Sequence, residues 1–197
     1  MRRAILAAIA LVLSIQSTPA HAGSVMAKVI KATNGNTITV QIDGKEMEVR
    51  LLGVATPDPN DKTPILKELG IQASAFLGEY LKASWVMLEY PTGKPEPDAN
   101  GVVDAYVYRG KDAVFVNEKI IREGFGITNR KVACSYRANF IAVEDKAKEA
   151  QRGIWSPTVE ADGKRAGSGK EQMAYLGRSG NNTSSRSAVD LWIIIFY

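Results

Sequence analysis

Polar and β-branched apolar residues alternate strictly through Thr37-Ile38-Thr39-Val40-Gln41-Ile42, as a half-buried strand requires. Similar stretches flank it. Residues 25–33 read as a strand broken at Asn34-Gly35, and residues 46–54 read as a third. In that third strand Met47, Val49 and Leu51 share one face, opposite Glu46, Glu48 and Arg50. Asp43-Gly44 is a type I′ hairpin signal. Asn34-Gly35 reads as a hairpin turn, since asparagine tolerates the left-handed backbone. Three hairpin-linked strands begin a small barrel or meander.

The period then changes. After a loop with three prolines, residues 55–64, the apolar positions Ile65, Leu69, Ala73, Phe76/Leu77 and Tyr80/Leu81 recur at helical spacing. Residues 85–90 and 102–108 read as two more strands, separated by the proline-rich loop 91–100, and Gly110-Lys111-Asp112 turns the chain. A short helix begins at Val116 and stops at Gly124. A third covers residues 137–151, with Phe140, Val143 and Ala147 on one stripe and Gly153 just past its end. Five strands with one helix between the third and fourth, and two at the end, predict an α+β, mainly β fold: a five-stranded OB-type barrel with three helices.

The two ends differ from this middle. Arg2 and Arg3 precede a short apolar run, and Ala20-His21-Ala22 supplies a small-x-small cleavage pattern, so residues 1–22 read as a signal peptide cleaved after Ala22. The run is shorter than the ~20 residues that a membrane span needs, so no stable span is expected after cleavage. The expected location is therefore periplasmic or secreted. Residues 23–155 form the predicted domain. Residues 156–197 read as a disordered tail rich in Gly, Ser, Asn and charge, ending in the apolar run 191–197. That run suits an added strand, a partner contact or aggregation equally well.

Charge narrows the function. The formal +4 falls to +2 once Arg2 and Arg3 are removed, and residues 23–155 carry 18 Lys/Arg against 17 Asp/Glu. A domain that grips nucleic acid through charge alone shows a clearer basic excess. The single histidine, His21, lies in the signal segment, which excludes Ser-His-Asp and Cys-His catalysis and His-ligated metals. Cys134 is the only cysteine, so no intrachain disulfide forms, and it is expected as a small, partly buried apolar residue. Any metal here must be a hard ion bound by oxygen.

Several short words in order resemble the staphylococcal nuclease (thermonuclease) family across about residues 25–155. They are Asn34-Gly35-Asn36-Thr37, Arg50-Leu51, Ala55-Thr56-Pro57-Asp58, "QASAFL" (72–77), Asp98-Ala99-Asn100-Gly101-Val102, "AYVY" (105–108), "VNEKIIREGFG" (116–126) and "QRGIW" (151–155). The resemblance implies a staphylococcal-nuclease-like barrel and Ca²⁺-dependent hydrolysis of DNA or RNA phosphodiesters. It also implies where the chemistry should reside. The calcium positions match Asn36, Ala55 and Thr56, and both family aspartates are missing. One of two phosphate-binding arginines matches Arg50, while the second is Val102. The glutamate that acts on the attacking water matches Asp58, one methylene shorter. Two pocket tyrosines match Cys134 and Tyr136.

Calcium affinity depends on ligand charge and count, and a guanidinium clamp has no apolar substitute. No cofactor is therefore expected, with Ca²⁺ required only if the family activity survives. The surviving Arg50 is free to pair with Asp58 or Asp104, and Asp58 to cap a turn. The expected function is a non-catalytic, exported binding module whose partner is an unidentified protein or weakly bound nucleic acid, the latter through the barrel groove and Tyr136. The alternative is a phosphodiesterase with residual calcium-dependent activity.

Overall fold

The computed structural model describes residues 23–156. The predicted signal segment and the tail from residue 157, with its apolar end, lie outside the described residues. The strands β1 (Ser24–Asn34), β2 (Thr37–Ile42) and β3 (Lys45–Leu51) are followed by a short β4 (Val54–Ala55) and helix α1 (Pro64–Tyr80). Then come β5 (Trp85–Glu89), β6 (Val103–Arg109), α2 (Val116–Arg122), β7 (Ile127–Thr128), α3 (Arg137–Glu149) and a 3₁₀ turn at Gly153–Trp155.

Five strands close into a barrel in the order β1-β2-β3-β6-β5, which is the predicted OB-type architecture. Every pairing is antiparallel except β3 with β6, where Val49, Arg50 and Leu51 face Val103, Asp104 and Ala105 in parallel. The alternation read from the sequence sets the interior. Ala27, Val29, Ile38, Val40, Val49, Leu51, Val86, Leu88, Val103, Ala105 and Val107 are buried in one cluster. Leu77 and Leu81 from the α1 end, Ile120 and Ile121 of α2 and Phe140 of α3 join it. Each Val, Leu, Ile or Phe side chain among them contributes about 1.5–3 kcal/mol when fully buried.

Helix α1 begins with Pro64 at its first turn and buries Leu66, Leu69, Gly70, Ala73 and Leu77. Leu66 and Gly70, absent from the expected stripe, lie on this buried face. Ile65 instead packs partly buried against a second cluster of Ala55, Leu66, Leu69, Ile127 and Ile154. Gly70 is needed for space, because a Cβ there would meet the Asp58 and Pro59 backbone at 2.5 Å.

Two expectations are corrected. The third strand does not run to Val54: it ends at Leu51, and Gly53, at φ +80°, turns the chain so that β4 leaves the barrel and pairs with β7. The space beside Gly53 is taken by the Cys134 sulfur, which a Cβ would meet at 2.6 Å. Cys134 is free and partly buried, as expected. The second correction concerns the first hairpin. Asp43 and Gly44 adopt φ of 48° and 78°, as a type I′ turn requires, but Asn34, Gly35 and Asn36 are not left-handed. The Asn34 carboxamide oxygen holds that turn by accepting the Asn36 N–H at 3.0 Å. Gly35 is demanded by packing, since a Cβ would lie 2.6 Å from the Ala73 Cβ and 2.8 Å from Thr56 Oγ1.

Gly35→Ala should therefore destabilise the fold by about 1–3 kcal/mol through overpacking. Urea unfolding should show a lower midpoint at unchanged slope.

Candidate functional site

The parallel β3–β6 pairing places Arg50 directly opposite Asp104. The Arg50 guanidinium donates through Nε to Asp104 Oδ1 at 2.7 Å and through a terminal nitrogen to Oδ2 at 3.2 Å. Its other terminal nitrogen donates to Asp98 Oδ2 at 3.2 Å. The two-point contact to Asp104 is the strong planar geometry available to arginine and carboxylate. All three side chains are about a third exposed.

Asp98 is fixed by its own loop. Its Oδ1 accepts the N–H groups of Asn100 at 2.9 Å and Val102 at 3.1 Å. Those backbone donors first, and Arg50 second, hold its carboxyl below the ordinary 3.8. The Asp104 contact holds the Arg50 guanidinium above its ordinary value. Of the two partners expected for Arg50, the structure gives Asp104 and not Asp58. Asp58 is exposed, and its Oδ1 accepts the Asn60 N–H at 2.8 Å while its carbonyl accepts the Asp61 N–H at 3.0 Å. It shapes a turn. Asp98 was missed as a partner of Arg50; Asp98-Ala99-Asn100-Gly101 is an Asx-type turn signal that could have pointed to a fixed carboxylate there.

The positions that match the metal site converge where the first hairpin meets β4. Asn36 Nδ2 donates to the Val54 carbonyl at 2.9 Å, and Asn36 Oδ1 accepts the Thr37 hydroxyl at 3.3 Å. The side chain therefore joins the β1–β2 turn to β4 with a neutral hydrogen bond, which a carboxylate could not donate. Ala55 is buried in the second apolar cluster, and Thr56 packs beside Gly35. Among the described residues no three His, Cys, Asp or Glu side chains gather as metal ligands. One amide oxygen, a methyl group and a threonine do not fit a calcium ion, which takes six to eight oxygens including carboxylates.

Tyr136 lies in an aromatic layer. Its ring meets Tyr106 edge-on at 4.7 Å and Phe115 at 4.9 Å, and its hydroxyl oxygen accepts the Tyr108 hydroxyl at 3.2 Å. Burial, reinforced by that hydrogen bond, drives the Tyr108 phenol well above its ordinary value. Cys134 accepts from the Tyr106 hydroxyl at 3.7 Å, and the Ser135 N–H donates to the same oxygen at 2.9 Å. Val102, beside Asp104, is partly buried and supplies no charge.

Chemically, the centre is one cation held by two anions, with a local formal charge of −1. A phosphodiester oxygen approaching this guanidinium would compete with two carboxylates and meet like charge on the way.

Comparison with known proteins gives a consistent outcome. A family model described as "Staphylococcal nuclease homologue" matches residues 48–157. The thermonuclease of Staphylococcus hyicus is 36% identical over 135 residues, covering 66% of this chain and 75% of the relative. That of Staphylococcus intermedius is 33% identical over 128 residues, covering 64% and 73%. Endonuclease YncB of Bacillus subtilis is 32% identical over 132 residues, covering 64% of this chain and 59% of its own length.

Asn36→Asp should lose the donor to Val54 and set a carboxylate against a carbonyl, costing about 1–3 kcal/mol. Thermal melting reads this as a lower Tm, and added Ca²⁺ should not restore it. The Asp98 contribution is complete above about pH 3.9 and is lost as the pH falls through its depressed folded value. Acid titration by NMR should show that Asp98→Asn removes this dependence.

Proposed function

The chain belongs to the staphylococcal nuclease family, and we propose that within it this protein is a non-catalytic binding module, exported through its N-terminal segment to the periplasm or the medium. The observation that carries this reading is the state of Arg50. Its guanidinium is engaged by Asp104 and Asp98, and the second arginine of the family pattern is Val102. The family's calcium positions carry Asn36 and Ala55, neither of which supplies an anionic ligand, while Thr56 alone is unchanged. Losing preorganised charge at a developing anion costs about 10²–10³ in rate for a single donor. Here two anionic ligands and one guanidinium are gone together.

OB-type barrels host many binding functions, so the fold alone does not restore an activity. The partner fits an unidentified protein, or nucleic acid held weakly, given the near-balanced charge of residues 23–155. A calcium-dependent phosphodiesterase acting on DNA or RNA is the second reading. It is favoured by the relatives named thermonuclease and endonuclease. It requires Asp58 as the water-activating carboxylate and calcium ligands other than those the family uses.

A cleavage assay on single-stranded DNA and RNA with Ca²⁺ separates the two. The protein should cleave at least about a thousand-fold more slowly than a related thermonuclease. Comparable rates would sink the binding-module reading. Asn36→Asp combined with Ala55→Asp and Val102→Arg should raise cleavage above the parent. Calorimetry with Ca²⁺ should give no saturable heat from the parent, whereas saturable heat abolished by Asp58→Ala would establish the second reading.

A further inference from the structure

Among the described residues four large apolar side chains stand exposed, and three share β1 and β5: Met26 at 49%, Ile30 at 43% and Trp85 at 55%. Lys28 and Trp85 are direct cross-strand partners, so their side chains leave the same face of the barrel. Met26, Lys82, Trp85 and Lys111 line one shallow cleft. Lys31 continues the exposed strand. Two of the carboxylates nearby are paired: Glu79 with Lys82 at 3.3 Å, and Asp112 with Arg109. Lys28, Lys31 and Lys111 form no ion pair among the described residues. A domain with almost balanced charge thus gathers four lysines and three apolar side chains on one surface.

This surface is remote from Arg50. Trp85 accepts the Gly110 N–H at 2.7 Å beyond the end of β6, whereas Asp104 lies near its start. Six residues of strand separate them, roughly 20 Å.

We propose that this face docks on an anionic lipid surface. Charge complementarity supplies the long-range attraction, and the side-chain types choose lipid over nucleic acid. Met26 and Ile30 offer no ring on which a base can stack, whereas a headgroup boundary accepts both along with the indole. Tryptophan settles at that boundary, and lysine stems lie along apolar surface while their ammonium groups reach phosphate. Arginine, the better fork for clamping a phosphate, contributes no free guanidinium here, because Arg109 is held by Asp112 and stacks on Tyr80 at 3.8 Å. The docking does not depend on the state of the Arg50 centre.

Co-sedimentation of the full chain with vesicles tests this. Phosphatidylcholine vesicles are compared with phosphatidylcholine–phosphatidylglycerol vesicles, and the readout is the difference between parent and variants, because the chain also carries apolar segments at both ends. The parent should partition onto the anionic vesicles more strongly than onto the neutral ones. Lys28→Gln and Lys111→Gln should each weaken that partition about five-fold, less at high salt. Trp85→Ser should weaken it on both vesicle types. All three positions are exposed, and unchanged circular dichroism would establish that the barrel is intact. Variants that partition like the parent would overturn the proposal. So would equal binding to neutral vesicles, or loss of binding to a single-stranded oligonucleotide with vesicle binding unchanged.

Discussion

Barrel closure through the short parallel pairing of β3 and β6 is the constraint on which the rest of this structure depends. Parallel neighbours cannot be joined by a hairpin, so the connection runs through α1 and β5 before β6 returns beside β3. The register that closes the barrel sets Leu51 beside Ala105 and Val49 beside Val103 in the core. By the two-residue period of a strand, the same register must place Arg50 beside Asp104 on the outside. The ion pair is a consequence of closure, and the Asp98 loop completes it by folding its carboxylate onto the same guanidinium. Arg50 is thereby part of the scaffold at the barrel seam.

The neighbouring loops are joined without charge. The first hairpin lies against β4. Here the amide of Asn36 spans that gap to the Val54 carbonyl, and Ala55 sits among leucine and isoleucine side chains. A neutral hydrogen bond contributes about 1 kcal/mol and carries none of the repulsion between clustered carboxylates. An aspartate at position 55 alone would place a carboxylate in apolar surroundings.

Buried polar groups elsewhere keep these loops in register. Asn117, fully buried on α2, accepts the Val107 N–H and donates to the carbonyls of Leu52 and Ala105, so it fastens the helix to the point where the chain leaves β3. Glu144 of α3 is also fully buried. It accepts the Thr128 N–H at 2.9 Å and meets Arg130 and Lys148, tying the helix to β7. Both side chains satisfy backbone groups that would otherwise be stranded away from water. The charged lysine face around Trp85 lies at the other end of β6, so the domain's near-neutral total conceals two surfaces of opposite character.

Much of the fold was legible in the residues. Alternation in 37–42 and 46–51 determined which side chains enter the barrel, since a strand turns successive residues to opposite faces. Asp43-Gly44 determined its turn, because few other residues accept two positive φ angles. That Asn36, Ala55 and Val102 carry no charge was likewise plain, because charge is a property of the side chain itself. What the tertiary structure decided was partnership. The role of Gly35 depends on Ala73 and Thr56, the donor role of Asn36 on Val54, and the choice of Asp104 over Asp58 on a strand pairing across more than fifty residues. Local pattern carries backbone conformation and charge, but it carries no distances between segments brought together only when the barrel closes.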